Sequence, residues 1–196
     1  LTFEGYPYTE EERMILNEAK AVFQQAHVQV DEVLFEPKPI YNDKTLLYEF
    51  KVALNAFLDE VKGYTKMTSL ADIIAFNKED PERRLKYGQS ILEVSEATLG
   101  TLEEEAYVTL RAEYRNEAER FQSLLEDNHY DALISTRRTS YAPIAGNPSI
   151  SVPAKALTDT SPRAIVFVGK RFDDALLIAL AHHYEIHTKK RIPPTL

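Results

Sequence analysis

The chain has 196 residues, enough for one compact domain with a sizeable core, and its 44% hydrophobic and 28% charged residues are ordinary globular values. Its formal net charge of -8 argues against nonspecific binding to nucleic acid or to an anionic membrane, because such binding needs clustered Lys and Arg. The sequence contains no cysteine, which excludes thiol catalysis, disulfides and zinc-thiolate sites from these residues.

The first predicted element is a helix that begins after Thr9. Thr9 and Glu12 have the spacing of a capping box, in which each residue accepts a hydrogen bond from the backbone of the other. Apolar residues then recur at helical spacing, at Ile15, Ala19, Val22, Phe23 and Ala26. The β-branched run over residues 28–35 predicts a strand after this helix.

Three further helices are expected before residue 100. One spans Asp43 to Lys62, with Gly63 as its C-terminal cap. Ser69, followed by Asp72, begins the next helix as an N-cap, and Asp80-Pro81 begins another, since proline is tolerated in a first helical turn.

The longest helix is predicted to begin at Thr101, with Glu104 closing a second capping box, and to run to about His129. Its apolar stripe consists of Ala106, Leu110, Tyr114, Ala118, Phe121 and Leu125. This pattern indicates a helix that is buried on one side.

The pattern changes after residue 130, where three short apolar runs predict strands over 131–135, 148–152 and 164–168, followed by a helix from Asp173 to about Lys189. The expected fold class is therefore α/β. A mixed sheet with flanking helices follows a mainly helical part over residues 1–130, all within one domain of residues 1–196. Together with the strand near Val28, these strands make a sheet that is small for its helices, which indicates an incomplete fold.

Two features invite a catalytic interpretation. His183 and His187 lie four residues apart on the last predicted helix, but a third ligand is missing, so we expect no metal and no cofactor. Ser149 and Ser151 fall on alternate positions of a predicted strand and point to one side. Since no Gly-x-Ser-x-Gly turn is present, we interpret them as strand hydroxyls packed beside prolines in a buried stretch.

Several stretches, read together, resemble the C-terminal portion of the amidase signature family, serine hydrolases of amide bonds. The segment Ala145-Gly-Asn-Pro-Ser-Ile-Ser-Val-Pro153 is similar to the family's Ala-Gly-x-Pro-Ser-Ile-x-Val-Pro. The stretches 164–172 and 176–181 look like its closing strand and terminal helix. A bacterial branch of the family has stretches similar to 48–51, 54–55, 69–77 and 85–89.

Two departures accompany the resemblance. Asn147 stands where that branch commonly has an aromatic residue, and Ser135-Thr-Arg-Arg-Thr139 replaces a Pro-Asn-Asn-like loop. The family's Ser-cisSer-Lys triad lies in a Gly- and Ser-rich half before the part matched here, so we expect no catalytic residue within these 196 residues.

The resemblance implies a fragment that supplies scaffold and part of a substrate pocket. By position, the residues expected to bind a small-molecule amide substrate are Tyr141, Ile144, Gly146 and Asn147, in a depression beside the sheet. The alternative is a non-catalytic binding or interaction module. We also expect a cytoplasmic protein, with neither nucleic acid nor a membrane as partner, and with a tendency to self-associate through exposed sheet or core surface.

Overall fold

The computed structural model describes residues 2–3, 7–36, 38, 42–154 and 163–192. The chain divides into two compact units. The first, here called the sheet unit, combines Leu1–Ile40 with Arg115–Leu196, and the second, the helical unit, is Tyr41–Tyr114. Whether they act as the single domain expected from the sequence stays a prediction.

The sheet unit is built on three antiparallel strands, β3 (Ala132–Ser135), β4 (Ser149–Pro153) and β5 (Ala164–Gly169). They lie in the order β3-β5-β4, with Ser135 opposite Val166 and Ser149 opposite Val168. The central strand β5 is buried on both faces, as its continuous apolar run requires. All three predicted strands after residue 130 are therefore confirmed.

Two helices, α1 (Glu10–Gln25) and α8 (Asp174–Thr188), join the strands in one apolar core. The buried members of that core are Ile15, Ala19, Phe23, Val152, Ala154, Ile165, Phe167, Leu177, Ala181 and Tyr184. The predicted capping box of α1 is present, since Thr9 Oγ1 accepts from the Glu12 amide at 3.2 Å and Glu12 Oε2 accepts from the Thr9 amide at 2.8 Å.

The predicted strand over residues 28–35 is wrong for most of its length. Only Leu34–Phe35 forms a strand, β2, which pairs in parallel with β1 (Thr2–Phe3) in a separate two-stranded sheet. The expectation that this segment joins the strands after residue 130 is also wrong. The chain instead leaves α1 through a left-handed turn at His27, where the Val28 amide donates to the Phe23 carbonyl at 3.0 Å. The α/β class is confirmed, and the two pairing directions occur in separate sheets.

The helical unit contains α2 (Asn42–Glu60), α3 (Leu70–Glu79), α4 (Pro81–Arg84), α5 (Ser90–Glu96) and the first turns of α6 (Glu105–Asp127). The three helices predicted before residue 100 are confirmed, and α5 is an addition. The second capping box is wrong, because α6 begins at Glu105 and Glu104 Oε1 instead accepts from the Leu99 amide at 2.6 Å. Leu102 has a left-handed backbone, which interrupts the predicted first turn.

Polar side chains hold the helical unit together. Lys51 Nζ donates to the carbonyl oxygens of Glu96 at 2.7 Å and Thr98 at 2.9 Å, and it lies 3.1 Å from Glu96 Oε1. Asn55 Oδ1 accepts from the Leu70 amide at 2.8 Å, which fixes the start of α3. Together these bonds tie α2 to α3 and to the end of α5.

The final predicted helix is confirmed as α8, whereas α7 (Tyr141–Ala145), between β3 and β4, is not predicted by the sequence. Within the described residues, every helix is too short or too polar to cross a membrane.

Candidate functional site

The four residues expected to bind substrate lie together in one short segment, residues 141–147, here called the α7 turn. Gly146 caps the C-terminal end of α7 with a left-handed φ of 82°, and the Asn147 amide then donates to the Ala142 carbonyl at 2.8 Å. Glycine adopts this conformation without the steric cost that a Cβ brings. The turn therefore depends on glycine at this position.

Tyr141 anchors the start of the α7 turn. Its side chain is buried, its hydroxyl donates to the Lys38 carbonyl at 2.5 Å, and its ring lies 5.0 Å from that of Phe35 and 5.8 Å from that of Phe121. Burial raises the pKa of Tyr141 to about 12, with a smaller contribution from the Glu117 carboxylate. The phenol therefore stays protonated at neutral pH and remains a hydrogen-bond donor.

Asn147 anchors the end of the α7 turn. Its buried Nδ2 donates to the Gly169 carbonyl at 2.8 Å and to Gln122 Oε1 at 2.5 Å. Its Oδ1 has no hydrogen-bond partner among the described residues. Where the similar bacterial branch commonly has an aromatic ring, this chain has a polar bridge from the turn to the end of β5 and to α6.

Arg171 supports the turn from the other side, and the sequence did not identify it. Its Nε donates to the Ala145 carbonyl, and its Nη2 lies 2.5 Å from Glu119 Oε1. A Cβ added at Gly146 would lie 3.8 Å from Arg171 Nε. The only sequence signal was a basic pair after a predicted strand, and most such pairs are solvated surface.

The loop that precedes α7 is clamped to the start of α1. Arg137 donates through Nε to Glu12 Oε1 at 2.7 Å and through Nη2 to Glu12 Oε2 at 2.8 Å. The hydroxyls of Tyr8 and Ser135 lie 3.0 Å apart. The hydrogen bonds from Arg137 lower the pKa of Glu12 from 4.5 to about 2. The loop over residues 135–139, which departs from the family pattern, is thus held by the ion pair between Arg137 and Glu12.

Exposure divides the four predicted residues into two pairs. Gly146 is exposed and Ile144 is partly exposed, whereas Tyr141 and Asn147 are buried. The structure brings all four together, and their role in binding substrate stays a prediction. A shallow groove of about 410 Å³ lies along the first turns of α6 in the helical unit. None of the four residues lines it.

Ser149 and Ser151 are both exposed on β4, an edge strand of the sheet. Their alternate spacing is as predicted, but the expected burial is wrong, because at this edge the core receives Val152 and Ile150 instead. In the described part of the chain, no histidine or lysine makes a hydrogen bond to either hydroxyl. No base is therefore placed to activate them there.

The paired histidines form a local contact. Their ring centroids lie 4.2 Å apart, and His187 Nδ1 is 2.7 Å from the His183 carbonyl oxygen. Across the described ranges, no group of three or more His, Asp or Glu side chains is arranged to hold a metal ion.

Known structures match the chain over nearly its whole length. An amidase family protein from Bacillus anthracis str. Ames is 30% identical, with a TM-score of 0.83, and the match covers 96% of this chain and 38% of that protein. Native peptide amidase from Stenotrophomonas maltophilia is 28% identical, with a TM-score of 0.79, and the match covers 93% of this chain and 41% of that protein.

A bacterial aryl acylamidase, described as one of the amidase signature enzymes, is 17% identical, with a TM-score of 0.57, and the match covers 95% of this chain and 42% of that protein. This third likeness concerns the fold alone. No protein-family model and no curated protein matches the chain. The chain spans about 40% of the length of these solved structures, and the matches confirm the family resemblance predicted from its sequence.

Proposed function

Since the chain has the fold of the amidase signature family over nearly all of its length, we propose that it is the C-terminal portion of a hydrolase that cleaves carboxylic amide bonds. In that enzyme it supplies scaffold and part of the substrate pocket, and the rest of the fold supplies the catalytic residues. The proposal is carried by the match to the Bacillus anthracis protein, which includes 96% of this chain but only 38% of that protein.

We assign different tasks to the two pairs of residues in the α7 turn. Ile144 and the backbone of Gly146 reach the surface, so they contact the substrate. Tyr141 and Asn147 hold the turn through the Lys38 and Gly169 carbonyls, so they position the wall of the pocket. Loops at strand ends are common places for ligands because a rigid sheet positions them.

The family resemblance implies the chemistry of the whole enzyme. A cis-Ser and a Lys relay a proton from the nucleophilic Ser, backbone amides bind the oxyanion, and water hydrolyses the acyl-enzyme. We assign none of these roles to this chain. The exposed Ser149 and Ser151 have no base in the described residues, and an unassisted hydroxyl is a weak nucleophile.

The test is amide hydrolysis by the purified chain. We expect ammonia release from aliphatic and aromatic amides at the buffer rate, and turnover only when the complementary part of the Bacillus anthracis protein is added. A variant carrying Ser149→Ala and Ser151→Ala is the control and should behave identically. Clear turnover by the chain alone, lost in that variant, would refute the proposal.

A second candidate function is a non-catalytic binding module, and one observation favours it. The helical unit exposes Tyr64 and Tyr87 almost completely, and exposed tyrosines are frequent at binding surfaces. Capture of a partner without any turnover of amides by the complemented chain would support this candidate. For either function we propose a cytoplasmic location, with which the absence of cysteine is compatible.

A further inference from the structure

The last helix, α8, is largely apolar on its solvent-facing side as well as on its core side, apart from its exposed terminal Asp174 and the exposed His182 and His187. Leu177, Ala181 and Tyr184 face the core of the sheet unit and are buried. Five further apolar residues are exposed on its other sides, namely Ala175, Leu176, Ile178, Ala179 and Ile186. This second set is here called the outer face of α8. A helix that covers a core on one side normally has polar residues on the other, and a helix that is apolar all round is normally buried all round.

Charge is missing from the same part of the helix. Between Asp174 and Glu185 the sequence contains no acidic residue, no lysine and no arginine, and its ionisable groups there are His182, His183 and the buried Tyr184. A solvated helix surface of that length ordinarily carries several charged side chains, and contiguous exposed apolar patches commonly mark interaction sites. The chemistry of the outer face therefore fits an apolar protein surface rather than water or a charged partner.

Phe172, immediately before α8, extends this apolar region. Its side chain is 94% exposed, and its φ of 67° is left-handed, a conformation that bulky residues rarely adopt. The turn around it is ordered, because the Asp173 amide donates to the Lys170 carbonyl at 3.1 Å and Arg171 is bonded to the Ala145 carbonyl. Hydrogen bonds made by the two neighbouring residues thus fix the backbone around Phe172, whose ring lies in solvent four residues before Leu176.

The solved structures that match this chain extend well beyond it. The match includes nearly all of this chain but only 38% of the Bacillus anthracis protein, so 62% of that fold has no counterpart here. We propose that the outer face of α8, together with Phe172, is the surface on which the remaining part of an amidase-signature fold docks. This inference rests on the proposed function and names the surface that makes the fragment part of a larger enzyme.

Because Arg171 bonds to the α7 turn as well, docking at Phe172 brings the remaining part of the fold beside Gly146 and Ile144. The docking surface and the proposed pocket wall are therefore neighbours. A substrate held at the wall would lie near the part of the fold to which we assign the nucleophile.

The experiment uses the complete chain and, as probe, the part of the Bacillus anthracis protein that the chain does not match. Binding is measured by titration calorimetry for the wild type, Ile178→Glu and Phe172→Ser. Met14→Glu is the matched control, since Met14 of α1 is 60% exposed and Ile178 is 59% exposed. Circular dichroism confirms that the probe and each variant are folded before any titration.

We expect the wild type and Met14→Glu to bind the probe equally, and both docking variants to bind at least about tenfold more weakly, because each buries a polar group without a partner. Equal binding by all four proteins, no binding by the wild type, or an equal loss in Met14→Glu would overturn the proposal. A dimer of the wild-type chain that Ile178→Glu dissociates, without any binding of the probe, would also overturn it in favour of a second copy.

Ammonia release in the same mixtures separates this inference from the proposed function. Turnover by the complemented wild type that is unchanged in Ile178→Glu would refute the docking surface and leave the proposed function intact. A complex that is lost in Ile178→Glu but never hydrolyses an amide would leave the docking surface intact and count against the proposed function.

Discussion

The sheet unit and the helical unit are stabilised in different ways. The sheet unit encloses a continuous apolar core that includes Phe23, Phe167 and Tyr184. The helical unit buries few large apolar side chains and relies on Lys51, whose ammonium group binds two carbonyl oxygens and a carboxylate. The first depends on burial of apolar area and the second on a small number of directed polar bonds.

Because the two units are stabilised differently, we expect them to respond differently to amino-acid substitutions. Apolar burial is spread over many contacts, so a single substitution reduces stability in proportion to the volume removed. A directed polar bond leaves its former partners unsatisfied when it is lost. We therefore expect deletions of volume to affect the sheet unit, and changes of charge to affect the helical unit.

The largest expected effect is that of Phe167→Ala in β5. Phe167 is fully buried and packs against Phe23 at a ring-centroid distance of 5.9 Å. The substitution should lower the free energy of unfolding of the sheet unit by about 3–5 kcal/mol. Urea denaturation measures the loss. Phe57→Ala, at an exposed position of α2, is the control, and an equal loss in both variants would contradict the contrast between core and surface.

The next largest expected effect is that of acid on the ion pair between Glu12 and Arg137, which also stabilises the sheet unit. The pKa of Glu12 falls from 4.5 to about 2 on folding, so the unfolded state binds this proton more tightly. The stabilisation, about 3 kcal/mol, is complete above the unfolded pKa and is lost as pH falls from about 5 to about 2.

Denaturation of the wild type and of Glu12→Gln over that pH range tests this expectation. The variant should be less stable at pH 7, and the difference between the two proteins should shrink towards pH 2. A difference that does not change with pH would show that the ion pair with Arg137 is not the source of the acid sensitivity.

Lys51→Met should lower the stability of the helical unit by about 2 kcal/mol, because two carbonyl oxygens and the Glu96 carboxylate lose their cation. Hydrogen exchange should quicken at amides of α2 and α5 and stay unchanged in β5. Lys62→Met is the control, since its ion pair with Asp59 is solvent-exposed and contributes little. Faster exchange in β5 as well would mean that the two units do not unfold separately.

The smallest expected effect is at the α7 turn. Gly146→Val places a β-branched residue at a φ of 82° and should cost about 1–2 kcal/mol. Gly146→Asn should cost less, because asparagine tolerates the left-handed region. Thermal denaturation of the two variants measures the difference. An unchanged midpoint in Gly146→Val would contradict the expected backbone strain. Unchanged amide turnover by the complemented variant would contradict the proposed role of the α7 turn as a wall of the substrate pocket.

The sequence was sufficient to predict a helix or strand where residues close together in the chain determine that element. The capping box of Thr9 and Glu12 begins α1, and the apolar runs after residue 130 form the three strands of the sheet. α7 escaped prediction because it is short and is anchored by the bond from Tyr141 to Lys38, 103 residues earlier. α5 has no side-chain cap at Gln89, whose side-chain Oε1 instead accepts a hydrogen bond from Asn77 Nδ2.

The misassigned strand has a different cause. Residues 28–33 have the β-branched composition of a strand, yet Val30 packs against the core of the sheet unit from irregular backbone. Composition signals burial, but a strand also needs a neighbour with which to pair. The predicted burial of Ser149 and Ser151 failed in the same way, because a sequence does not show which strand lies at the edge of a sheet. The four positions expected to form the site are close in sequence, so their grouping in one turn could be predicted, whereas the burial of Tyr141 and Asn147 could not, because it depends on residues far away in the chain.

The sheet unit is also discontinuous in sequence, since its core joins α1 to β5 and α8 at opposite ends of the chain, whereas the helical unit is one uninterrupted segment. As the polypeptide leaves the ribosome, the helical unit emerges before β5 and α8, which share a core with Ile15, Ala19 and Phe23. Contacts between distant residues form late, because closing the long loop between them is entropically costly. α1 is therefore synthesised well before the strand and helix that share its core, and the sheet unit completes its core only after β5 and α8 have been made.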